Sequence, residues 1–380
     1  MFEKWRKRRG EERTLDIWPT WSLPGAMAPE SALAVADVWA SVKLLSDSAA
    51  ALPLIAYRRT DDGRKRQSSG RLAALLGQPA PATSQANLVS TAVAHLALWG
   101  NAFVGKFRDE NGQLEQLALL HPDRVRVELV SGVPRYTVYG PKGERSQHGP
   151  DDIVHVKALS TDGLVGLSPI RQCRVALSLA SNLGEHAQAF FENGARPTGI
   201  LKLGGAATDA QVTSLREQLT SRHVGTKNAH RIAILTGETE WTPMSGPLDD
   251  LQFVEQRKLS TAEIARVFRV PPWMIGASSG DSMTYSNTEQ QALAFVSYSL
   301  RPWLVVIEQA LSTDSDLCPG SLYVEFLLDA LLRADSKTRA EVYAMALDPV
   351  TGWMNRSEVR RLENLEPEVP DRIPLEEMIA

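Results

Sequence analysis

Residues 260–311 read STAEIARVFRVPPWMIGASSGDSMTYSNTEQQALAFVSYSLRPWLVVIEQAL, and this stretch decides the fold. A short helix comes first. Pro271 and Pro272 end it, because they remove two amide donors and bias Val270 out of the helical region. A loop of small residues follows, and then a long helix with Pro302 inside it. Leu293, Val296, Leu300, Trp303, Leu304, Ile307 and Leu311 fall near a 3.6-residue period. Pro302 is therefore expected to kink that helix rather than end it. Ser260 with Glu263, and Ser286 with Glu289, have the spacing of capping boxes. A loop of Gly, Ser, Asp, Met and Thr between two helices suits motion or contact, and no catalytic constellation adjoins it. The plain alternative is two helices joined by a surface loop.

Composition narrows the classes. The chain has 380 residues, is 43% hydrophobic and carries a net charge of −4. That charge excludes nucleic-acid binding by bulk electrostatics. Charge is uneven: residues 1–13 are basic and read as a disordered arm, while residues 358–380 are acidic. Two cysteines, Cys173 and Cys318, indicate neither a zinc cluster nor a disulfide framework and suit a reducing compartment. No apolar run is long enough for a signal peptide or a membrane span, so a soluble protein with no membrane partner is expected.

The chemical motifs are blank. The seven histidines have no metal-pair spacing. Gly166-Leu167-Ser168-Pro169 lacks the second glycine of a nucleophile elbow, and no phosphate loop or dinucleotide fingerprint occurs. Asp151-Asp152 and Asp249-Asp250 are chain neighbours whose carboxylates point apart. No catalytic residue, metal site or cofactor is expected, and the chain does not read as an enzyme.

Outward from the loop, the first 160 residues read as a compact α+β unit. Helices are expected over 31–51, 72–76 and 85–98, and strands at 52–59, 101–108, 113–120, 125–130, 135–139 and 153–157. Asn111-Gly112 marks a hairpin turn. Ser168 to Asn193 reads as one long helix with Ser168 as cap, Pro169 in its first turn and small residues on its faces. Residues 195–247 form an α/β insert strung between that helix and another over 248–268. One rival reading remains: residues 260–276 resemble part of a helix-turn-helix, which would make a DNA-binding protein. Its second element would be Pro-Pro-Trp-Met-Ile-Gly, which holds no good base reader.

Several segments in this order, DIVHVKALSTDGLVGLSPI, FFENGARPTGIL, EQRKLSTAEIARVFRVPPWMIG, TYSNTEQ and VVIEQAL, make the chain similar to the HK97-type portal proteins of tailed bacteriophages over roughly residues 30–365. Near the end, an Arg356-Ser357 pair separates Asn355 from Glu358, where the family pattern has Asn-Glu adjacent. The resemblance implies an α+β portal fold: a basic arm (1–29), a wing (30–167), a stem helix (168–194), a clip (195–247), a second stem helix (248–275), a tunnel loop (276–285), a kinked wing helix (286–319) and a helical crown (320–380). It implies a dodecameric ring at the unique capsid vertex of a virion, assembled in the host cytoplasm. Double-stranded DNA would pass through the channel without sequence specificity. The source would be a phage, a prophage or a gene transfer agent. Implied partners are the terminase large subunit, a head-completion or adaptor protein and the major capsid protein. Ser278, Ser279, Gly280, Asp281, Ser282, Met283, Thr284 and Tyr285 would face DNA. Arg196, Lys202, Arg216, Arg222, Lys227 and Arg231 would present the clip to its partners.

Overall fold

A computed structural model describes residues 28–61, 63–192, 199–203, 213, 239–243, 249–276, 285–328, 336–349 and 351–362. The chain divides into two units, Met1–Phe326 and Leu327–Ala380.

The first unit is built on the hairpin β3 (Asn101–Arg108) and β4 (Leu114–Leu120), with β8 (Ile153–Lys157) on the other side of β3. The hairpin turn closes where Asp109 Oδ1 accepts from the amides of Asn111 (2.9 Å) and Gln113 (2.7 Å). Gly112 takes a φ of 79° there, a conformation only glycine adopts without strain. A second sheet, β5 (Val125–Val130), β6 (Val133–Tyr139) and β7 (Arg145–His148), packs on the first. Phe103, Val125, Val127, Tyr136, Val138, Ile153 and Leu164 form the shared core.

A third sheet has the order β11 (Leu322–Phe326), β1 (Leu54–Thr60), β2 (Gly63–Gln67). The outer edge of β11 is covered by the Arg301–Thr313 helix. The Val324 amide donates to Ser312 Oγ (3.0 Å) and the Phe326 amide to Glu308 Oε1 (2.7 Å). Two side chains thus replace a missing strand and satisfy an edge that would otherwise invite pairing. Burial raises the pKa of Glu308.

Several expectations need correction. The helix expected over 31–51 is two, Pro29–Ala32 and Ala36–Ala50. The long helix expected from Ser168 breaks at Cys173 into Pro169–Gln172 and Arg174–Glu192. Strands β2, β7 and β11 were not foreseen: β2 and β7 are short and polar, without apolar alternation. β11 pairs with a strand more than 260 positions away, Leu54 facing Phe326. Its pairing carries the first unit to Phe326.

Within the second unit, Ser336–Ala346 and Arg356–Leu362 are helices. Asn355 and Glu358 form a reciprocal capping box: the Asn355 amide donates to Glu358 Oε2 (2.8 Å), and the Glu358 amide to Asn355 Oδ1 (2.9 Å). The Arg356-Ser357 pair is the spacer that this box requires. In the 195–247 insert, β9 (Gly199–Leu203) pairs antiparallel with β10 (Thr239–Pro243). Among the described residues no helix is long and apolar enough to cross a membrane.

Candidate functional site

The 276–285 loop is held by two flanks, and both are built from the chain's own chemistry. On the first, the Asp249–Phe268 helix ends in a left-handed turn. The Val270 amide reaches back to the Ala265 carbonyl (2.9 Å) and the Arg269 amide to Arg266 (3.1 Å). Glycine normally occupies the left-handed position of this motif, but here Arg269 does, with a φ of 57°. Ser260 is not a cap, because it is buried inside the helix, which starts at Asp249. Thr261 Oγ1 instead ties the helix to Asp37 Oδ2 at 2.8 Å. After the two prolines comes only a short 3₁₀ turn, Pro272–Ile275, ended by Gly276 at φ 82°. No second α-helix exists in 260–276, so the helix-turn-helix reading fails: the element after the prolines is one 3₁₀ turn that Gly276 ends in the left-handed conformation.

On the second flank, the helix starts at Tyr285 as an α-helix. It passes into a π-helix over Phe295–Leu300 and resumes as α over Arg301–Thr313. Pro302 lacks the amide that would bond the Tyr298 carbonyl, and its ring crowds that carbonyl. The wider π turn lies across the same residues, and π turns are a known cause of kinks. The extra residue also rotates the upstream face. Leu293, expected on the buried stripe, is 43% exposed, while Phe295 and Ser299 are buried. The Ser299 hydroxyl donates a short hydrogen bond to the Arg269 carbonyl, linking the two flanks. The far end of the helix is anchored by Lys106 Nζ and Asp314 Oδ2 at 2.6 Å, with the Lys106 side chain only 1% exposed.

A second junction lies where the chain leaves the α/β body toward the Arg174–Glu192 helix. Gly100 and Gly166 cross backbone to backbone. A Cβ on Gly166 would lie 2.0 Å from the Gly100 carbonyl oxygen, and one on Gly100 would lie 2.2 Å from that of Leu167. Asn101 clamps the crossing. Its Nδ2 donates to the carbonyls of Trp99 (2.9 Å) and Gly166 (2.8 Å). Its Oδ1 accepts from the Gly166 amide (2.7 Å) and from His155 Nε2 (2.9 Å). Ser168 completes the joint by donating to the Leu98 carbonyl (2.5 Å) and accepting from the Arg171 amide (3.3 Å) as an N-cap. Burial, then Lys157, lowers the pKa of His155 to about 3. Burial, then His121, lowers that of His95 to about 4. Nearby, Glu30, His121 and Asp123 each bring one ligand-type atom within 4.8 Å of the others. Trp99 Nε1 donates to Asp123 Oδ1 at 2.8 Å.

Of the residues read from sequence, Ser278, Ser279, Gly280, Asp281, Ser282, Met283 and Thr284 lie outside the described residues; Tyr285 is the first residue of its helix. Arg196, Arg216, Arg222, Lys227 and Arg231 also lie outside them. Lys202 is in β9 opposite Glu240. Sequence reading missed Gly100, Asn101, Lys106, Arg269 and Ser299. Ser168-Pro169 signals its junction, as a helix cap and first turn, and the structure places them so.

Comparison with known proteins covers nearly the whole chain. The profile of the family described as phage portal protein matches residues 36–364. The chain is 30% identical over 367 residues to the probable portal protein of Streptomyces phage phiC31, covering 92% of this chain and 79% of that one. It is 30% identical over 345 residues to the portal protein of Enterobacteria phage HK97, covering 89% and 80%. A chain from the neck of a native gene transfer agent particle, computed with C12 symmetry, superposes with a TM-score of 0.61 at 25% identity, covering 90% and 97%.

Proposed function

The chain belongs to the phage portal protein family, and from that membership we propose that twelve copies close into a ring at one capsid vertex of a phage or gene-transfer-agent particle. The observation that carries this reading is the twelvefold neck whose chain shares the fold over 90% of this one. One repeated heterologous contact closes such a ring. The ring is a channel and a platform, not an enzyme, and needs no cofactor. It sits in the virion after assembly in the host cytoplasm, held by the major capsid protein. The α/β body is the wing, the Arg174–Glu192 and Asp249–Phe268 helices are the stem, and 195–247 is the clip.

A channel that moves DNA must not grip it. Each phosphate neutralised adds affinity and salt dependence. Residues 276–285 contain no Lys or Arg and one acidic residue, Asp281. That composition suits a sliding surface for double-stranded DNA. The clip carries Arg196, Lys202, Arg216, Arg222, Lys227 and Arg231 against four acidic residues, which suits docking to the terminase large subunit and then to an adaptor. Native mass measurement of the purified chain tests the ring. A dodecamer supports it; a monodisperse monomer or dimer at high concentration overturns it.

A further inference from the structure

The β1–β2 hairpin stands apart from the smooth loop composition. Residues 58–66 hold five basic side chains, Arg58, Arg59, Arg64, Lys65 and Arg66, against Asp61 and Asp62. All five are exposed, and β2 forms the open edge of its sheet. Register sorts the residues by face, because opposed residues of an antiparallel pair share a face. Tyr57 faces Arg66 and Tyr323, and Arg59 faces Arg64. On this face the cations and rings form one ladder. Arg59 lies 5.2 Å above the Tyr323 ring, Tyr323 stacks on Tyr57 at 5.7 Å, and Arg64 lies 4.9 Å from Tyr57. Glu325 neutralises Arg64 at 2.6 Å. Arg58, Lys65 and Arg66 enter no ion pair among the described residues. Beside the ladder runs a groove of about 360 Å³ lined by Arg59, Arg301 and Tyr323, with Glu308 and Glu325 on its wall.

We propose that this hairpin is a DNA-backbone contact outside the channel, where the packaged duplex rests its phosphates along the open β2 edge, on Arg66 from the ladder face and on Arg58 and Lys65 from the opposite face. The inference rests on the portal reading, which supplies the duplex. Charge complementarity favours it: cations spaced along an extended hairpin, Arg66 on the ladder face and Arg58 and Lys65 on the other, meet a uniform line of phosphates without reading bases. Edge cations also prevent strand pairing, but that role needs neither tyrosine stacking nor cations on both faces of the strand.

The test measures binding of a labelled duplex of about 30 base pairs to the full-length oligomer across a salt series. Three proteins are compared: wild type, Arg58→Ser/Lys65→Ser/Arg66→Ser, and a control with Lys7, Arg8 and Arg9 replaced by Ser. Oligomer mass is recorded for each. The hairpin variant should keep the wild-type mass, and its slope of log affinity against log salt should fall by about 0.9 for each cation removed; the arm variant should change less. Equal binding by wild type and hairpin variant overturns the proposal, as does a loss confined to the arm variant. Binding of polyglutamate in preference to DNA overturns it in favour of an acidic protein partner. An intact ring that ignores DNA sinks this inference alone, whereas absence of a ring sinks the portal reading beneath it.

Discussion

Two junctions carry the chain out of the same α/β body, and they are built on opposite principles. At the Gly100–Gly166 crossing, Asn101 uses all four of its hydrogen-bonding positions and no room is left for a methyl group. At the 269–276 corner, a non-glycine residue sits in the left-handed region and one hydroxyl, that of Ser299, bridges to the following helix. The first is over-determined, as a fixed mount for a long helix must be. The second, among the described residues, is bridged to the following helix by the Ser299 hydroxyl.

The largest expected effect breaks the first junction. Gly166→Ala puts a Cβ against backbone that cannot move away. Loss of at least about 3 kcal/mol is expected, in the range of severe core lesions, read as a denaturation midpoint or as insoluble expression. Gly184→Ala is the control, since nothing lies within 4 Å of its added carbon and alanine favours a helix. Equal stability of the two variants would show that the crossing is not rigid.

Acid should weaken the same junction. His155 and His95 have folded pKa values of about 3 and about 4, below the unfolded value near 6.5. The unfolded chain therefore takes up protons first as pH falls. Their contribution is intact above about pH 6.5 and is lost progressively toward pH 4 and below. Denaturant midpoints of wild type should fall across that window more steeply than those of His155→Gln. Parallel curves would remove His155 from the account.

These junctions also show what the sequence could reveal. Periodicity located the helices around the loop because their buried stripes are local. Leu304, Ile307 and Leu311 lie where the period put them, and all three are buried. It failed upstream at Leu293, because a π turn inserts a residue into the period without changing composition. The β3–β4 hairpin was legible from Asn111-Gly112, whereas β2 and β7, short and polar, left no alternation to read. β11 was not, because its partner β1 lies at the other end of the unit. Asn101 and Gly100 gave no local signal: their roles come from a segment some 65 positions away, as the Asn101–Gly166 bonds show. The loop and clip residues rest on resemblance, not on geometry.

A smaller effect is expected at the second corner. Ser299→Ala removes one hydroxyl bond to the Arg269 carbonyl and leaves that acceptor to its remaining surroundings. A loss of about 1 kcal/mol is expected, the usual net value of such a bond. Hydrogen exchange should accelerate over residues 285–300 more than over residues 101–108. Uniform acceleration would mean that the hydroxyl supports the whole body rather than the corner.

The smallest effect should have the opposite sign. Arg269 holds a φ of 57°, which a side chain with a Cβ adopts at a cost of about 1 kcal/mol or more. Glycine would relieve that strain, but it also gives the unfolded chain more freedom, which offsets roughly half to all of the gain. Arg269→Gly should therefore be neutral or stabilising by up to about 0.5 kcal/mol. The same substitution at an ordinary helical residue such as Arg266 should destabilise by about 1 kcal/mol. Measuring both in one denaturation series separates backbone strain from loss of the guanidinium, since both variants delete an arginine from the same helix end. Clear destabilisation by Arg269→Gly would mean that the arginine side chain itself supports the corner. The contrast between the two junctions would then lie in their hydrogen bonds alone, not in their backbones.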